Sequence, residues 1–387
     1  MYDLILKGAH VVDPLNGINR ICDIAIENGS IAAVEPDISA AAKETINLTG
    51  LVAQPGIIDS HVHLGSMWGS PFGPRMLAMA GVTTALDMAG PLEDILDNTP
   101  QYGAGINMAI LQFASPPFTF RNNTPGKAEM IDLIDRTLDE GALGVKLLGG
   151  HYPLTPAVSA TLVETALERR AYVAWHAGTS EHGSNIEGMM EAVEMANGHP
   201  LHLAHINAYC RGAVHDSIDE ARTAIELLKK NPNIFSESYV SPKNGTRLTC
   251  DENGQVQSKV TGNCLRHFGF SEDKAGIRAA LLARKAFAVY DAGGYSDLMT
   301  GEEAVRYWEA SNTDVGGSFN INPPIPRILL SQARRDDGAF VVDAISTDGG
   351  CIPRNVILSQ GLSLVKLDVL TLPEFAQKTS LNPARML

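Results

Sequence analysis

The most informative stretch of this chain is Gly56-Ile57-Ile58-Asp59-Ser60-His61-Val62-His63. An apolar, strand-like run ends there in two histidines at alternate positions. Side chains at i and i+2 of a β-strand point to the same face, so His61 and His63 can converge at the carboxyl end of the strand. Converging neutral imidazoles suit a Zn-type cation. An HxH pair is weak evidence alone, and its weight depends on the polar residues further along the chain.

Strand-like and helical segments alternate from about residue 55 onward. Eight strand–helix alternations over roughly 300 residues predict an α/β fold, a (β/α)8 or TIM barrel. A doubly wound open sheet is the alternative, but such sheets usually carry a Gly-rich phosphate loop after the first strand, and none is present. The eight runs are Gly56–Leu64, Val82–Met88, Ile106–Phe113, Ala142–Leu148, Tyr172–His176, Leu201–Asn207, Ile234–Tyr239 and Phe340–Thr347.

Two domains are expected from this organisation. Residues 1–54 consist of short strand-like runs with turns, including Asn28-Gly29, and predict a small N-terminal β-sandwich-like appendage. Residues 55–387 form the barrel domain. The interval of residues 240–339 is too long for one crossover, so we expect long loops there that shape a substrate pocket.

Composition excludes several classes of function. The chain has 387 residues, a net charge of −14 and no long cluster of its 30 basic residues, so no nucleic-acid surface is expected. No signal peptide and no apolar run of about 18 residues is found, so no membrane span is expected. Five scattered cysteines indicate a reducing compartment, and we expect a cytoplasmic protein. Pairing of Cys250 with Cys264 is the open alternative.

Polar residues recur where the predicted strands end. His61 and His63 follow run one, Lys146 lies in run four, His176 ends run five, His205 lies in run six, and Asp348 follows run eight. Each has an ordinary structural explanation: a core histidine, a lysine reaching solvent, a cap at Asp348. However, active sites of this fold lie at the carboxyl ends of several strands. Five such positions together therefore predict one site.

Lys146 has a specific chemical interpretation. A charged ammonium would repel cations, but a lysine in an apolar pocket can lose its proton. The neutral amine can then add carbon dioxide and become a carbamate. Such a bridging carboxylate would hold two metals about 3.5–4 Å apart, the separation found in two-metal hydrolases.

These residues resemble the motifs of the amidohydrolase superfamily, in the binuclear subgroup of dihydroorotase, hydantoinase and allantoinase. Nearly the whole chain is covered. The matching segments are Pro55-Gly56-Ile57-Ile58-Asp59, His61-Val62-His63, Gly144-Val145-Lys146-Leu147, His176, Leu203-Ala204-His205-Ile206-Asn207, Ser346-Thr347-Asp348-Gly349 and Ser380-Leu381-Asn382-Pro383-Ala384-Arg385.

The resemblance implies a role for each residue. It implies that His61, His63 and Asp348 hold one metal, that His176 and His205 hold a second, and that carboxylated Lys146 bridges them. Two divalent ions, with Zn expected, would generate a bridging hydroxide that attacks the substrate. Asp348 would be the catalytic general base and then the general acid. His202 lies three residues before His205 and is expected on the opposite face of a strand, and the resemblance places the ligand at His205.

Departures from the family pattern concern the residues around the ligands. Gly349-Gly350-Cys351 follows Asp348, where the family often has a polar group. His151 or Tyr152 could donate a hydrogen bond to the substrate carbonyl, with a packed loop as the equal alternative. The C-terminus ends earlier than is usual for the family, so a smaller N-terminal sheet or an incomplete sequence is expected.

Substrate-binding candidates lie close to the predicted strand ends. Arginine binds carboxylates in a bidentate fork, which makes Arg211, Arg247 and Arg327 candidates. Asn207 and Tyr209 follow a predicted ligand and are expected to line the mouth of the pocket.

The functional hypothesis is a hydrolase of a non-peptide C–N bond in a small cyclic amide. An N-acyl amino-acid deacylase with the same metal centre is the alternative. A scaffold without metal is disfavoured because no ligand is lost, and a mononuclear deaminase because it has no use for Lys146. The expected partner is a small-molecule amide, with no nucleic acid or membrane. A homo-oligomer is compatible with the class, but no sequence feature indicates one.

Overall fold

The computed structural model describes every residue from Met1 to Leu387. Its strands, in chain order, are β1 (Tyr2–Asp13), β2 (Ile18–Glu27), β3 (Ser30–Glu35), β4 (Ala42–Asn47), β5 (Val52–Ala53), β6 (Ile57–His63), β7 (Val82–Ala89), β8 (Asn107–Phe113), β9 (Gly144–Leu148), β10 (Tyr172–His176), β11 (Leu201–Leu203), β12 (Ile234–Tyr239), β13 (Thr246–Arg247), β14 (Ala286–Asp291), β15 (Ser296–Met299), β16 (Gly316–Phe319), β17 (Ala344–Ser346) and β18 (Gly349–Gly350).

The helices lie mostly between the strands. They are α1 (Gly73–Met79), α2 (Leu92–Tyr102), α3 (Lys127–Asp139), α4 (Pro156–Glu168), α5 (Ile186–Ala196), α6 (Ser217–Lys230), α7 (Lys259–His267), α8 (Lys274–Leu282), α9 (Glu302–Ala310), α10 (Pro324–Gln332), α11 (Ile357–Lys366), α12 (Leu372–Ala376) and α13 (Asn382–Met386). Short 3₁₀ turns occupy Ser66–Trp68 and Ile206–Tyr209, and a π-helical turn occupies Gln377–Leu381. None of the helices combines the length and the apolar character that crossing a bilayer requires.

The N-terminal segment forms one mixed sheet. Strand β1 pairs antiparallel with β2 along one edge, and parallel with both β4 and β5 along the other. The expected β-sandwich-like appendage is therefore one five-stranded sheet, because the long strand β1 pairs with β2, β4 and β5. The predicted Asn28-Gly29 hairpin is confirmed: both residues are left-handed, with φ values of 53° and 73°, as a type I′ turn requires.

The largest sheet is parallel, has nine strands and is strongly curled. Its strand order is β17-β12-β11-β10-β9-β8-β7-β6-β18, which follows the chain without the reversal of a doubly wound sheet. The two ends of this order, β17 and β18, are separated by only Thr347 and Asp348. The backbone N–H of Asp348 also donates to the carbonyl oxygen of His61, 2.9 Å away. Both edges of the sheet therefore belong to one short segment of chain.

Side-chain alternation in β10 separates the two faces of this sheet. Val173 and Trp175 belong to the core cluster that packs the sheet against the helices, whereas Ala174 packs with residues of β7 and β8 on the inner face. Lys146 on β9 is paired in register with Ala174. In-register neighbours of parallel strands share a face, so the Lys146 side chain also points inward.

The interval between β12 and β17 is folded into a unit with its own core. Strands β13–β16 form an antiparallel sheet, and α7, α8 and α9 pack on it around the fully buried Trp308. The indole N–H of Trp308 donates to the carbonyl oxygen of Leu248, 2.9 Å away. The long loops expected from the sequence are thus largely helices and strands, too short individually for their periodicity to stand out.

Candidate metal centre

Three predicted ligands meet at the carboxyl end of β6. Oδ1 of Asp348 lies 3.4 Å from Nε2 of His61 and 3.0 Å from Nε2 of His63. Two ligand atoms about 2.0–2.2 Å from one tetrahedral zinc are roughly 3.3 Å apart. The spacing of these three atoms therefore fits coordination of a single cation, and all three side chains are buried.

A second pair of imidazoles lies beside this group. Nδ1 of His176 is 3.0 Å from Nε2 of His205, again the separation expected for two ligands of one cation. The ring of His205 stacks on that of His61, with 5.1 Å between centroids. The structure thus brings together all four histidines that the sequence predicted as ligands.

Lys146 lines the same cavity as these histidines and is 1% exposed. Its amine makes no ion pair, and its polar contact is the thioether sulfur of Met88, 3.0 Å away. Burial lowers the pKa of Lys146 to about 8, although the negative charges of Glu237 and Asp348 oppose the shift. The amine is still mostly protonated at pH 7, but burial gives it a minor neutral fraction that an ordinary lysine lacks, as carboxylation of the amine would require.

Two of the ligands are held in a strained backbone conformation. His205 has a φ of 36° and Asp348 a φ of 51°, and each follows the end of its strand. Non-glycine residues adopt positive φ rarely, and such strain concentrates at functional sites. The left-handed turn lets each side chain return toward the axis of the curled sheet.

The electrostatic environment favours the protonation states in which the predicted ligands can bind a cation. Burial lowers the pKa of His61, His176 and His205 well below the usual range, and the Lys146 charge adds to the effect in each. Burial acts to raise the pKa of Asp348, but the Arg354 guanidinium and the nearby histidines hold it well below its usual value. The site therefore offers neutral imidazoles and one carboxylate.

The donor set fits a zinc-type ion. Imidazole and carboxylate are common zinc ligands, and one group of His61, His63 and Asp348 and a second pair of His176 and His205 supply them. Nδ1 of His63 and Nδ1 of His205 are buried and have no hydrogen-bond partner. These rings consequently meet other polar groups only through the nitrogens that face the cluster.

Two residues of the site were missed by sequence reasoning. Glu237 on β12 is fully buried and accepts from Nδ1 of His61 and from the backbone N–H of His205, each 2.6 Å away. Arg354 donates through Nε to the backbone oxygen of Asp348 and places Nη2 2.6 Å from Oδ2 of that residue. An acid inside the strand-like run Ile234–Tyr239 was an available signal for Glu237, whereas nothing in the sequence distinguished Arg354.

Several predicted substrate-binding residues line a cavity of about 760 Å³ above the ligands. Arg211, Arg247, His151 and Tyr152 all contribute to its wall. The ring of His151 lies 5.5 Å from that of His176, and the ring of Tyr152 packs edge-on against Phe118. The unit between β12 and β17 provides much of the opposite wall, mainly from α7.

Three other candidates lie outside this cavity, which corrects the expectation for them. Arg327 donates to the backbone oxygens of Pro323 and Val240 and holds the end of β12 to α10. Asn207 accepts from Ser238 and from a backbone N–H of β12. The hydroxyl of Tyr209 accepts a backbone N–H that follows β10. These contacts are structural hydrogen bonds, although Nδ2 of Asn207 is buried without a partner.

His202 also points inward, contrary to the strand-parity argument. It is paired in register with Ala174, and its Nδ1 lies 2.7 Å from the hydroxyl of Tyr172. The three-residue spacing to His205 does not reverse the face, because β11 ends at Leu203 and His205 turns back in a left-handed conformation. His202 therefore lies deeper in the sheet interior, and His205 lies at the cluster.

Replacing Gly150 with alanine tests the second pair of ligands. A Cβ on Gly150 would overlap Nε2 of His176, so the imidazole must shift from its present place beside His205. We expect Gly150→Ala to lose the ion held by His176 and His205 and to keep the ion at His61, His63 and Asp348. Metal content after equilibration with zinc measures this.

Gly183→Ala is the matched control, because a Cβ there meets no atom within 4 Å although the residue also lines the cavity. Equal metal content in the Gly150 variant, the control and the wild type would contradict the assignment of His176.

No protein-family model matches the chain. In sequence, the chain is 24% identical to a dihydroorotase of Geobacter metallireducens. The alignment is 414 positions long and covers 100% of this chain and 85% of the relative.

Two solved structures are similar in fold. The crystal structure of D-aminoacylase, described as defining a subset of amidohydrolases, matches with a TM-score of 0.69 at 17% identity, over 100% of this chain and 86% of that one. N-acyl-D-glutamate deacylase of Bordetella bronchiseptica, solved with zinc and a phosphonate inhibitor, has a TM-score of 0.67 at 16% identity, over 100% and 85% of the two chains. The resemblance drawn from the sequence motifs is thus confirmed: the chain is similar in sequence to a dihydroorotase, and in fold to D-aminoacylase and N-acyl-D-glutamate deacylase.

Proposed function

We propose that this protein is a metal-dependent hydrolase that cleaves a non-peptide C–N bond in a small cyclic amide. The observation that carries the proposal is the meeting of two ligand groups in one cavity. His61, His63 and Asp348 surround one point, and His176 and His205 surround another. The dihydroorotase relative, which is similar over the whole chain, supports the cyclic class of substrate.

The proposed cofactor is a pair of divalent cations, with Zn as the expected metal. His61, His63 and Asp348 would hold one ion, His176 and His205 the other, and a carboxylated Lys146 would bridge them. When bound, such a pair makes water ionise near neutral pH and polarises a carbonyl group. The buried, partly neutral amine of Lys146 supports the carboxylation step, since only the free base adds carbon dioxide.

Asp348 is the proposed general base and acid. Its carboxylate stays ionised beside Arg354, which orients Oδ2 while Oδ1 faces the two histidines of β6. It would accept the proton of the attacking water as the new C–O bond forms. It would then deliver this proton to the leaving nitrogen as the C–N bond breaks. The hydroxyl of one water thus ends on the carbonyl carbon, and its proton ends on the leaving nitrogen.

The charge of the cavity wall supports a substrate that carries a carboxylate. Arg211 lines the cavity and has no carboxylate partner, because its guanidinium contacts only Oδ1 of Asn322 and the hydroxyl of Tyr239. Arg247 is already paired with Asp314. A partly buried guanidinium without a counter-ion is suited to bidentate binding of a carboxylate.

Deacylation of an N-acyl amino acid is the second candidate. The fold similarity to D-aminoacylase and to N-acyl-D-glutamate deacylase favours it. The same ligands, base and arginine would serve both reactions, since each breaks an amide bond near a carboxylate. The two candidates differ in whether the amide belongs to a ring.

We also propose that the curled sheet is a closed (β/α)8 barrel, supported by the common segment at its two edges. The division into domains of residues 1–54 and 55–387, a cytoplasmic location and possible homo-oligomerisation stay proposals. All five cysteines are free, which agrees with a reducing compartment.

Replacing Asp348 with asparagine removes both a metal ligand and the proposed base. We expect Asp348→Asn to lower kcat/KM at least about 100-fold, as loss of a general base does. Steady-state hydrolysis of cyclic ureides and imides, and of N-acyl amino acids, measures the loss and identifies the substrate class.

Asp314→Asn is the control, because Asp314 lines the same cavity but pairs with Arg247 away from the ligands. Full activity of metal-free protein, or of the Asp348 variant, would refute the mechanism. Activity on acyl amino acids alone would select the second candidate.

Replacing Arg211 with methionine tests recognition of the carboxylate. A charge-assisted hydrogen bond contributes about 1.5–3 kcal/mol, so we expect KM for carboxylate substrates to rise roughly 10- to 100-fold. The value of kcat should change little, because the contact is made equally in the ground and transition states. Kinetics with a substrate and its uncharged amide analogue measure the effect.

Arg247→Met provides the comparison, since this second cavity-lining arginine already has a carboxylate partner. A larger rise in KM for the Arg247 variant than for the Arg211 variant would contradict the assignment.

A further inference from the structure

Glu237 contacts three of the segments that carry the ligands. Its Oε1 accepts from Nδ1 of His61 on β6 and from the backbone N–H of His205 after β11, each at 2.6 Å. Its Oε2 accepts from the hydroxyl of Ser346, two residues before Asp348. One carboxylate on β12 is therefore hydrogen-bonded to β6, to the segment that follows β11, and to β17.

The hydrogen bond to His61 determines which ring nitrogen is free. A carboxylate accepts but does not donate, so the proton of the neutral imidazole lies on Nδ1. Nε2 then presents its lone pair, and this atom lies 3.4 Å from Oδ1 of Asp348. Such a hydrogen bond from the far nitrogen of a ligating histidine fixes its tautomer and its orientation.

The hydrogen bond to His205 acts on the backbone. His205 has a φ of 36°, a conformation that needs support from its surroundings. By accepting the N–H of His205, Glu237 supports the turn that brings this ring within 3.0 Å of His176. The same oxygen therefore orients a ligand of the first position and a ligand of the second.

We propose that Glu237 is a positioning residue that couples the two metal positions through this shared oxygen. The inference rests on the metal centre of the proposed function, but not on its substrate or reaction. Removing the negative charge while keeping the shape should weaken binding at both positions together. A residue that served only one ligand would weaken one position alone.

Glu237→Gln is the informative variant, because the amide oxygen can still accept and the amide nitrogen can still donate to Ser346. We expect zinc affinity to fall about 10- to 100-fold at both positions, the usual effect of losing such a partner. Competition titration of the metal-free protein with zinc and a chromogenic chelator measures both constants. Nitrogen-15 histidine spectra of the metal-free wild type should show His61 protonated on Nδ1.

Glu220→Gln is the matched control. Glu220 is equally buried but accepts only backbone N–H groups, from Gly212, Val214 and His215, so zinc affinity should not change. Unchanged affinity in the Glu237 variant, or loss at one position only, would overturn the coupling. If that variant fails to fold, the wild-type spectrum still decides, because a proton on Nε2 of His61 contradicts the proposal. If zinc binds as expected but no amide is hydrolysed, the proposed function is contradicted and the role of Glu237 is not.

Discussion

Alternation of side chains along short parallel strands is the constraint on which the site depends. On β10 the large residues Val173 and Trp175 pack outward against helices, which leaves Ala174 and His176 facing inward. Lys146 on β9 is paired in register with Ala174, so its side chain also faces inward. Because the sheet is parallel and curled, the carboxyl ends of its strands meet at one end. The ligands therefore converge without any long loop having to bring them together.

Burial turns this geometry into a site for a cation. Imidazoles enclosed in the sheet interior are neutral and keep their lone pairs, while Arg354 keeps Asp348 ionised. The amine of Lys146 is held without a carboxylate partner, against a thioether of Met88. Buried polar groups are costly unless they have partners. A bound metal pair would provide partners for several of these groups at once, and would thereby offset the cost of burying them.

Much of the curled sheet could be predicted because apolar runs there have strand length and clear ends. Tyr172–His176 and Ile234–Tyr239 have the same bounds in the structure as in the sequence prediction. The same reasoning located the four histidines that are proposed as ligands. Glu237 did not, because its role comes from hydrogen bonds to residues distant in the chain. The unit around Trp308 was also missed, since its elements are short and its core is assembled from many of them.

If two cations bind in this cavity, crystallography with anomalous scattering at the zinc edge will locate both of them. Two peaks about 3.5–4 Å apart are expected, with additional density on the amine of Lys146. One peak should contact His61, His63 and Asp348, and the other His176 and His205. A single peak, or none, with the Lys146 amine unmodified against Met88, would exclude a metal pair at this site.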